Sequence, residues 1–257
     1  MATAPVSEVH ITPDIPDGTL EALYQGFLDH GDIYQATLAG DTQPVFVISK
    51  PDWAQHVLAK NYTNYKKGLG IERVRLLLGN GLMASEGELW KFQRQMMQPF
   101  FQQAALKPYE SLIQECASDC AKRWQGFLDR DKPINLTKEM SEITLHFILK
   151  AIFSEDLSKI EQAHGENPFE IVTDESARNL EFARNFRRLA GLVREIIQQR
   201  VDDNHYPDDI ISRMLKAKHK QTGESMPLKN VLNETMTLIV AGHETTAASL
   251  NWTWWLI

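Results

Sequence analysis

The sequence has few cysteines and no long apolar run, and both absences exclude classes of protein. Its 257 residues contain two cysteines, Cys116 and Cys120, too few for a disulfide framework, which favours a reducing compartment. No stretch reaches the ~20 apolar residues of a membrane-spanning helix, because polar side chains interrupt even the most apolar segment, residues 236–257. The N-terminus lacks the basic and apolar regions of a secretory signal. We therefore expect a soluble, cytoplasmic protein with no membrane anchor.

An excess of positive charge is also missing. Lysine and arginine together number 27 against 34 for aspartate and glutamate, so the formal net charge is -7. A nucleic-acid-binding surface needs clustered cations to neutralise phosphates, so nucleic acid is disfavoured as a partner. The content of 43% hydrophobic and 24% charged residues is typical of a globular protein and excludes a disordered chain or a coiled-coil rod.

Strand-forming patterns are confined to the first fifth of the chain. Residues 32–49 hold two β-rich runs around the turn-forming AGDTQP, which predicts a hairpin. A helix that ends at Gly31 precedes it, and a short helix begins at Pro51. From Glu86 onward the apolar residues have helical spacing, which predicts helices over residues 86–101, 106–128, 135–153, 168–202, 208–222 and 227–257. We expect a mainly α fold with a small β-sheet near the N-terminus.

The last predicted helix carries the sequence AGHETT at residues 241–246. A glycine at the centre of a helix costs about 1 kcal/mol relative to alanine, and Gly242 beside Ala241 leaves a patch with almost no side chain. Glu244 and Thr245 place a carboxylate and a hydroxyl next to that patch. A threonine hydroxyl in a helix can bond to the carbonyl one turn back. The patch could thus bind a flat ligand and deliver protons to it.

These residues allow two other interpretations. His243 and Glu244 begin an H-E-x-x-H zinc motif, but Ala247 takes the place of the second histidine, so a zinc protease is excluded. Alternatively, the alanine and glycine allow a neighbouring helix to cross closely. That interpretation stays open from the sequence alone.

A second set of candidates lies on the predicted helix at residues 86–101. Trp90 and Arg94 are four residues apart, so they share one helix face. An indole N–H and a guanidinium form a donor set for a carboxylate. The alternative is an arginine that extends its charge to solvent beside a half-buried tryptophan.

Together these motifs resemble the cytochrome P-450 family of haem-thiolate monooxygenases. The family pattern [AG]-G-x-[DE]-T-[TS] of the long central helix is matched at every position by residues 241–246, and its W-x-x-x-R pattern by Trp90 and Arg94. The helix–hairpin–helix order of the first residues is similar as well. The resemblance implies that residues 1–257 are the N-terminal portion of a single domain of this fold, from helix A and the hairpin through helices B to I.

The resemblance also implies roles for individual residues. Trp90 and Arg94 would hydrogen-bond a propionate of haem b, and Ala241 and Gly242 would lie over the distal face of the porphyrin. Thr245 would hydrogen-bond the activated oxygen species, and Glu244 would take part in the proton relay. Leu77, expected in the loop before Gly79, and Val240 stand where family members line the substrate pocket.

The axial ligand of the family is missing from this sequence. Its F-x-x-G-x-x-x-C-x-G motif does not occur, and Cys116 and Cys120 lie in a helical segment without the glycines of that loop, so we expect both to be ordinary helix thiols. No metal ligand is therefore assigned in this chain, and the C-terminal haem-thiolate part is expected to be absent.

Two functions from different classes follow. The first is a haem monooxygenase that activates O2 and hydroxylates an apolar small molecule, a fatty acid among the candidates. It would take electrons from a flavin reductase or a ferredoxin, and the truncated chain would be inactive alone. The second is a non-catalytic helical module that docks a partner through its C-terminal tryptophans.

Overall fold

The computed structural model of the chain describes residues 6–11, 18–38, 45–68, 70–164, 169 and 180–257. The strands are β1 (Val6–Ile11), β2 (Ile33–Leu38) and β3 (Val45–Ile48). The helices are α1 (Gly18–His30), α2 (Pro51–Gln55), α3 (Gly70–Leu78), α4 (Gly87–Met97), α5 (Gln103–Leu106), α6 (Tyr109–Leu128), α7 (Leu136–Phe153), α8 (Asp156–His164), α9 (Leu180–Asp202), α10 (Ile210–Lys216) and α11 (Leu228–Leu256). The chain divides into two compact units, residues 1–66 and 67–257.

The first unit is a small sheet with helices α1 and α2. Strands β2 and β3 pair antiparallel, with Ile33 opposite Ile48, which confirms the predicted hairpin; its turn, residues 39–44, lies outside the described residues. Strand β1 pairs with β2 in parallel and was not predicted. The hydroxyl of Tyr34 donates to the carbonyl of Leu23 at 2.6 Å, so β2 is held against α1.

The second unit is helical, and its core lies between α7, α9 and α11. Helix α7 packs along α11, α6 packs on α7, and α9 packs on α11. Buried aliphatic and methionine side chains fill the space between them, including Leu149, Ile152, Val193, Met236 and Ile239. With 29 residues, α11 is about 44 Å long at 1.5 Å rise per residue. It is the longest helix among the described residues.

Most predicted helices agree with the structure, and α10 is shorter than predicted. The predicted cap of α7 is present, since the Asn135 side chain accepts a hydrogen bond from the backbone N–H of Lys138 at 3.1 Å. Helix α10 ends at Lys216, whereas the prediction ran to residue 222. Lys218 instead pairs with Ser225 in a turn in which Gly223 adopts a φ of +73°. Part of the predicted helix over 168–202 lies outside the described residues; α9 confirms it from Leu180.

A buried arginine fastens α8, α9 and α10 together. Arg200 on α9 is 2% exposed, and its guanidinium donates to Asp209 at 2.7 Å, Asp156 at 2.8 Å and the Phe153 carbonyl at 2.9 Å. These charge-assisted bonds offset the desolvation of the guanidinium. The end of α7 is thereby fixed against α9, which keeps the helices beside α11 in place.

Candidate active site

The AGHETT residues lie in an unbroken stretch of α11 and divide between two faces of that helix. Ala241, Glu244 and Thr245 are exposed, whereas His243 is 2% exposed. Spacings of three and four residues put Ala241, Glu244 and Thr245 on one face. The structure therefore brings the predicted acid, the predicted hydroxyl and one small residue together on an open helix surface.

The Thr245 hydroxyl forms the hydrogen bond that its position predicts. Its Oγ1 donates to the carbonyl oxygen of Ala241 at 2.7 Å. A hydroxyl has one hydrogen and two lone pairs, so in this arrangement it can accept a hydrogen bond, and it becomes a donor to a ligand when it rotates away from Ala241. Glu244, exposed beside it, can exchange protons with solvent.

Gly242 faces a neighbouring helix. A Cβ built on Gly242 would lie 3.0 Å from Cδ1 of Ile148 on α7. This close approach is the helix crossing that was the alternative interpretation of the small residues. Of the two residues predicted to lie over a porphyrin, Ala241 is the one with an exposed side chain; the predicted role of Gly242 stays a prediction.

His243 anchors the buried face of α11 to α7. Its Nε2 hydrogen-bonds with the Ser141 hydroxyl at 2.9 Å, and its Nδ1 is buried with no partner among the described residues. Burial lowers the pKa of His243, partly opposed by the nearby charge of Glu244. The neutral imidazole is thus favoured. From the sequence, His243 was assigned no role beyond an incomplete zinc motif.

Trp90 and Arg94 lie on α4 as predicted. Trp90 is partly buried, whereas Arg94 is exposed and forms no hydrogen bond or ion pair with another described residue. A guanidinium in this state has all its donors available for a carboxylate. The predicted contact of this pair with a propionate stays a prediction.

The predicted substrate-lining residues sit at different depths. Leu77 is 39% exposed and lies in the last turn of α3, not in the predicted loop. Val240 is partly buried against the core of the second unit. Helix α3 packs on α11. Whether either residue contacts a substrate stays a prediction.

The two cysteines are buried on α6. Burial raises the pKa of both thiols, which disfavours the thiolate that a metal requires. The Cys120 thiol points to the Glu139 carboxylate at 3.8 Å, and Glu139 also accepts from Arg123 and Trp124. Within the described ranges, no three histidine, cysteine, aspartate or glutamate side chains are grouped to hold a metal ion.

The structure also shows a buried carboxylate that the sequence analysis missed. Glu234 on α11 is 1% exposed, and both its oxygens lie within 3.1 Å of the backbone nitrogen of Leu82. A signal was present in the sequence, since Glu234 lies in an apolar helical segment about two turns before the AGHETT residues. Along the described parts of the chain, no helix combines the length and apolar character needed to cross a bilayer.

Comparison with known proteins gives a consistent result. A family model described as cytochrome P450 matches residues 18–257. Cyclooctatin synthase from Streptomyces melanosporofaciens is 28% identical, over 89% of this chain and 52% of the relative. Carotene epsilon-monooxygenase from Arabidopsis thaliana is 25% identical, over 91% of this chain and 49% of the relative. A bifunctional cytochrome P450/NADPH–P450 reductase from Bacillus cereus is 25% identical, over 87% of this chain and 23% of the relative. The chain thus spans about half the length of the first two.

Proposed function

The chain belongs to the cytochrome P450 family, and from this premise we propose that the complete protein is a haem b-dependent monooxygenase that hydroxylates an apolar small molecule. The observation that carries the proposal is the exposed face of α11, where Glu244 and Thr245 adjoin the small side chain of Ala241. Residues 1–257 would be the N-terminal portion of the catalytic domain, with the thiolate ligand supplied by sequence outside this chain.

The residues present fit a haem. An exposed guanidinium without an ion-pair partner among the described residues, Arg94, lies one helical turn from the indole of Trp90, and together they can bind a propionate. Ala241 presents a methyl group, which leaves room for a flat ring on the exposed face of α11. When bound, haem supplies the oxidising power that activates O2 and inserts one of its oxygen atoms into the substrate.

The proton chemistry falls to α11. The Thr245 hydroxyl donates to the Ala241 carbonyl at 2.7 Å, and it can hold a ligand oxygen once it rotates away from that carbonyl. Glu244 can take a proton from solvent and pass it toward the same face. Positioned acid–base groups typically contribute ~10²–10⁴-fold to a rate. His243, buried on the opposite side and bonded to Ser141, fixes the rotation of the helix that presents them.

The names of the relatives support a less detailed proposal for the substrate and the redox partner. The name of the Arabidopsis relative states carotene as its substrate, which favours an apolar substrate here; a fatty acid is the other class we propose, with Leu77 and Val240 lining its pocket. The Bacillus relative is named as fused to a reductase. A flavin reductase is therefore proposed as the electron donor, with a ferredoxin as the alternative.

The exposed apolar side chains at the end of α11 favour a second function. Trp252, Trp255 and Leu256 are 62%, 74% and 74% exposed, and a large exposed apolar patch is typical of an interaction surface. A non-catalytic helical module that docks a partner through these residues is the alternative.

The test uses the complete protein with its own C-terminal sequence. Haem stoichiometry, the reduced carbon monoxide spectrum and incorporation of ¹⁸O from ¹⁸O2 into a fatty acid or a carotene are measured. One haem per chain and one labelled oxygen per product support the proposal. A protein that binds no haem yet captures a partner through the tryptophans contradicts it and supports the module.

A further inference from the structure

The loop of residues 79–86, between α3 and α4, is held by side chains from outside it. The ammonium of Lys67 donates to the carbonyl oxygens of Met83 at 2.6 Å, Ser85 at 2.8 Å and Leu82 at 3.2 Å. The backbone N–H of Lys67 donates to the Glu86 carboxylate at 2.6 Å. One lysine therefore binds four of the eight residues of the 79–86 loop.

Two further side chains bind carbonyls of this loop. Arg75 on α3 donates to the carbonyl of Ala84 at 2.7 Å, and Gln93 on α4 donates to the carbonyl of Asn80 at 2.9 Å. Backbone polar groups removed from water need partners. Since this loop has little regular structure of its own, its course depends on these side chains.

Helix α11 binds the same loop through its only buried carboxylate among the described residues. The backbone N–H of Leu82 donates to Glu234, with distances of 3.0 and 3.1 Å to the two oxygens. Within the described ranges Glu234 has no ion-pair partner within 4.0 Å, although the positive charge of Lys67 favours its ionised form. A buried carboxylate without such a partner is costly, so its retention at this position indicates a role.

Two glycines allow the loop to lie against α11. Gly79 has a φ of +76°, and a Cβ there would collide with the side chain of Asn233. A Cβ on Gly81 would lie 2.5 Å from Oγ1 of Thr237 and 2.8 Å from the carbonyl oxygen of Asn233. Residues 79–82 of the loop therefore lie in close contact with residues 233–237 of α11.

We propose that Glu234 and Lys67 are positioning residues, which fix the 79–86 loop on α11 and thereby set the position of α4 and of its Trp90–Arg94 pair. This inference rests on the proposed function, because it concerns the residues assigned there to a haem propionate. Helix α4 begins at Gly87, directly after the loop. The AGHETT face begins at Ala241, one helical turn beyond the loop contact at Thr237. A shift of the loop would change the separation of these two sets of residues.

The charge of Glu234 makes this attachment sensitive to pH. Burial raises the pKa of Glu234 from 4.5 to about 7, partly opposed by the hydrogen bond from Leu82 and by the charge of Lys67. Burial lowers the pKa of Lys67, the charge of Glu86 opposes this effect, and the charge of Arg75 adds to it. When the loop opens, water reaches Glu234 and its pKa returns toward 4.5. The closed loop is thus favoured below pH 4.5, and the preference declines as the pH rises through about 7.

The experiment uses the complete protein loaded with haem. Glu234→Leu removes the acceptor and the charge, Glu234→Gln keeps an acceptor oxygen without the charge, and Glu110→Leu on the exposed surface of α6 is the control. Hydrogen–deuterium exchange of the Leu82 amide reports the loop, and the rate of haem transfer to excess apomyoglobin reports the propionate residues. Lys67→Met, with its neighbour Lys66→Met as control, gives a second pair should Glu234→Leu fail to fold.

We expect Glu234→Leu and Lys67→Met to speed exchange at Leu82 about tenfold or more and to speed haem loss by about tenfold to a hundredfold. Both controls should behave as wild type. Glu234→Gln should have wild-type rates of Leu82 exchange and of haem loss. In this variant the protection of the Leu82 amide should no longer change between pH 5 and 8. Faster exchange with unchanged haem loss would overturn the positioning role. If Arg94→Ala speeds haem loss while neither Glu234→Leu nor Lys67→Met does, this inference is wrong and the proposed function stands. A complete protein that takes up no haem contradicts the proposed function itself.

Discussion

Gly242 lies directly against Ile148, since a Cβ built on the glycine would be 3.0 Å from Cδ1 and 3.1 Å from Cγ1 of that isoleucine. Replacing a glycine inside a helix with alanine gains about 1 kcal/mol from helix propensity. At Gly242 the contact with Ile148 opposes that gain, because the isoleucine must move by a few tenths of an ångström. We expect Gly242→Ala to change the free energy of unfolding by less than about 1 kcal/mol in either direction.

The control for this prediction is Gly191 in α9. A Cβ on Gly191 meets nothing within 4 Å, so Gly191→Ala should stabilise the protein by up to about 1 kcal/mol. Urea unfolding compares the two variants, and Ile148→Val, which removes Cδ1, should narrow the difference between them. Equal stabilisation by both alanines would show that the helix crossing does not require Gly242.

The contact of Gly242 shows where the sequence stops being informative. The spacing of Ala241, Glu244 and Thr245 predicts a shared face, because helical periodicity is local. Which neighbour Gly242 meets depends on the rotation of α11 against α7. That rotation is fixed by distant residues, such as the hydrogen bond between Ser141 and His243. The sequence therefore permits two interpretations of the glycine and favours neither.

The fold shows the same division between local and distant causes. The hairpin and the end of α1 at Gly31 follow from turn residues and a φ of +81°, and both were predicted. Strand β1 was missed because its partner, β2, is separated from it by a helix. The predicted extension of α10 was wrong because the pairing of Lys218 with Ser225 prevails over the helical spacing. Glu234 was missed because burial of a carboxylate depends on the 79–86 loop that covers it.

Arg94 should determine how firmly the complete protein holds haem. Its guanidinium is exposed and unpaired among the described residues, so Arg94→Ala removes the proposed partner of a propionate without breaking a hydrogen bond or ion pair between described residues. Losing a charge-assisted hydrogen bond costs roughly 1.5–3 kcal/mol. We expect lower haem content and faster haem loss after gel filtration. Lys91→Ala, which removes a nearby cation bonded to Glu88 at 3.0 Å, is the control. Equal haem retention in both variants would contradict the propionate role.

Thr245 should control how efficiently oxygen activation is coupled to product. Thr245→Ala removes the hydroxyl that donates to the Ala241 carbonyl, so substrate binding should change little while peroxide is released in place of product. The loss of coupling is expected to be about tenfold or more. Thr253→Ala is a matched control, because Thr253 is exposed on the same helix and makes the same type of bond, to the Ser249 carbonyl at 2.8 Å. Peroxide and product are measured per electron pair consumed. Full coupling in Thr245→Ala would leave the hydroxyl with a structural role alone.

The bond between Ser141 and His243 should contribute to stability. Ser141→Ala leaves Nε2 of the buried imidazole without its partner at 2.9 Å, which should cost about 1–3 kcal/mol. Ser111→Ala on α6 removes an exposed hydroxyl bonded to the Pro108 carbonyl and should cost little. Urea unfolding at pH 7.5 measures both. Equal effects of the two variants would rule out a stabilising role for the buried bond.

His243 should also make the fold sensitive to acid. Burial lowers its pKa below the usual 6.5, so the unfolded chain binds a proton more readily than the folded one. The stability due to the neutral imidazole is complete above about pH 6.5 and declines as the pH falls through the lowered value. Wild type should therefore lose more stability between pH 7.5 and 5.5 than His243→Gln does. Because the carboxylates, including Glu234, are common to both proteins, their contribution cancels in that difference. Parallel pH profiles would show that His243 is not held neutral by the fold.

Residues 1–257, expressed alone, should show no thiolate-type band in the reduced carbon monoxide spectrum. Cys116 and Cys120 are buried on α6, and burial raises the pKa of both thiols, so neither offers a thiolate to iron. The exposed Trp252 and Trp255 should also promote aggregation, whereas a non-catalytic docking module would be a soluble monomer that unfolds cooperatively. The spectrum is recorded with added haem, together with a thermal melt and light scattering. A thiolate-type band that is lost in Cys116→Ser or Cys120→Ser would reverse the assignment of both cysteines, because it would require α6 to open and bring a sulfur to the metal.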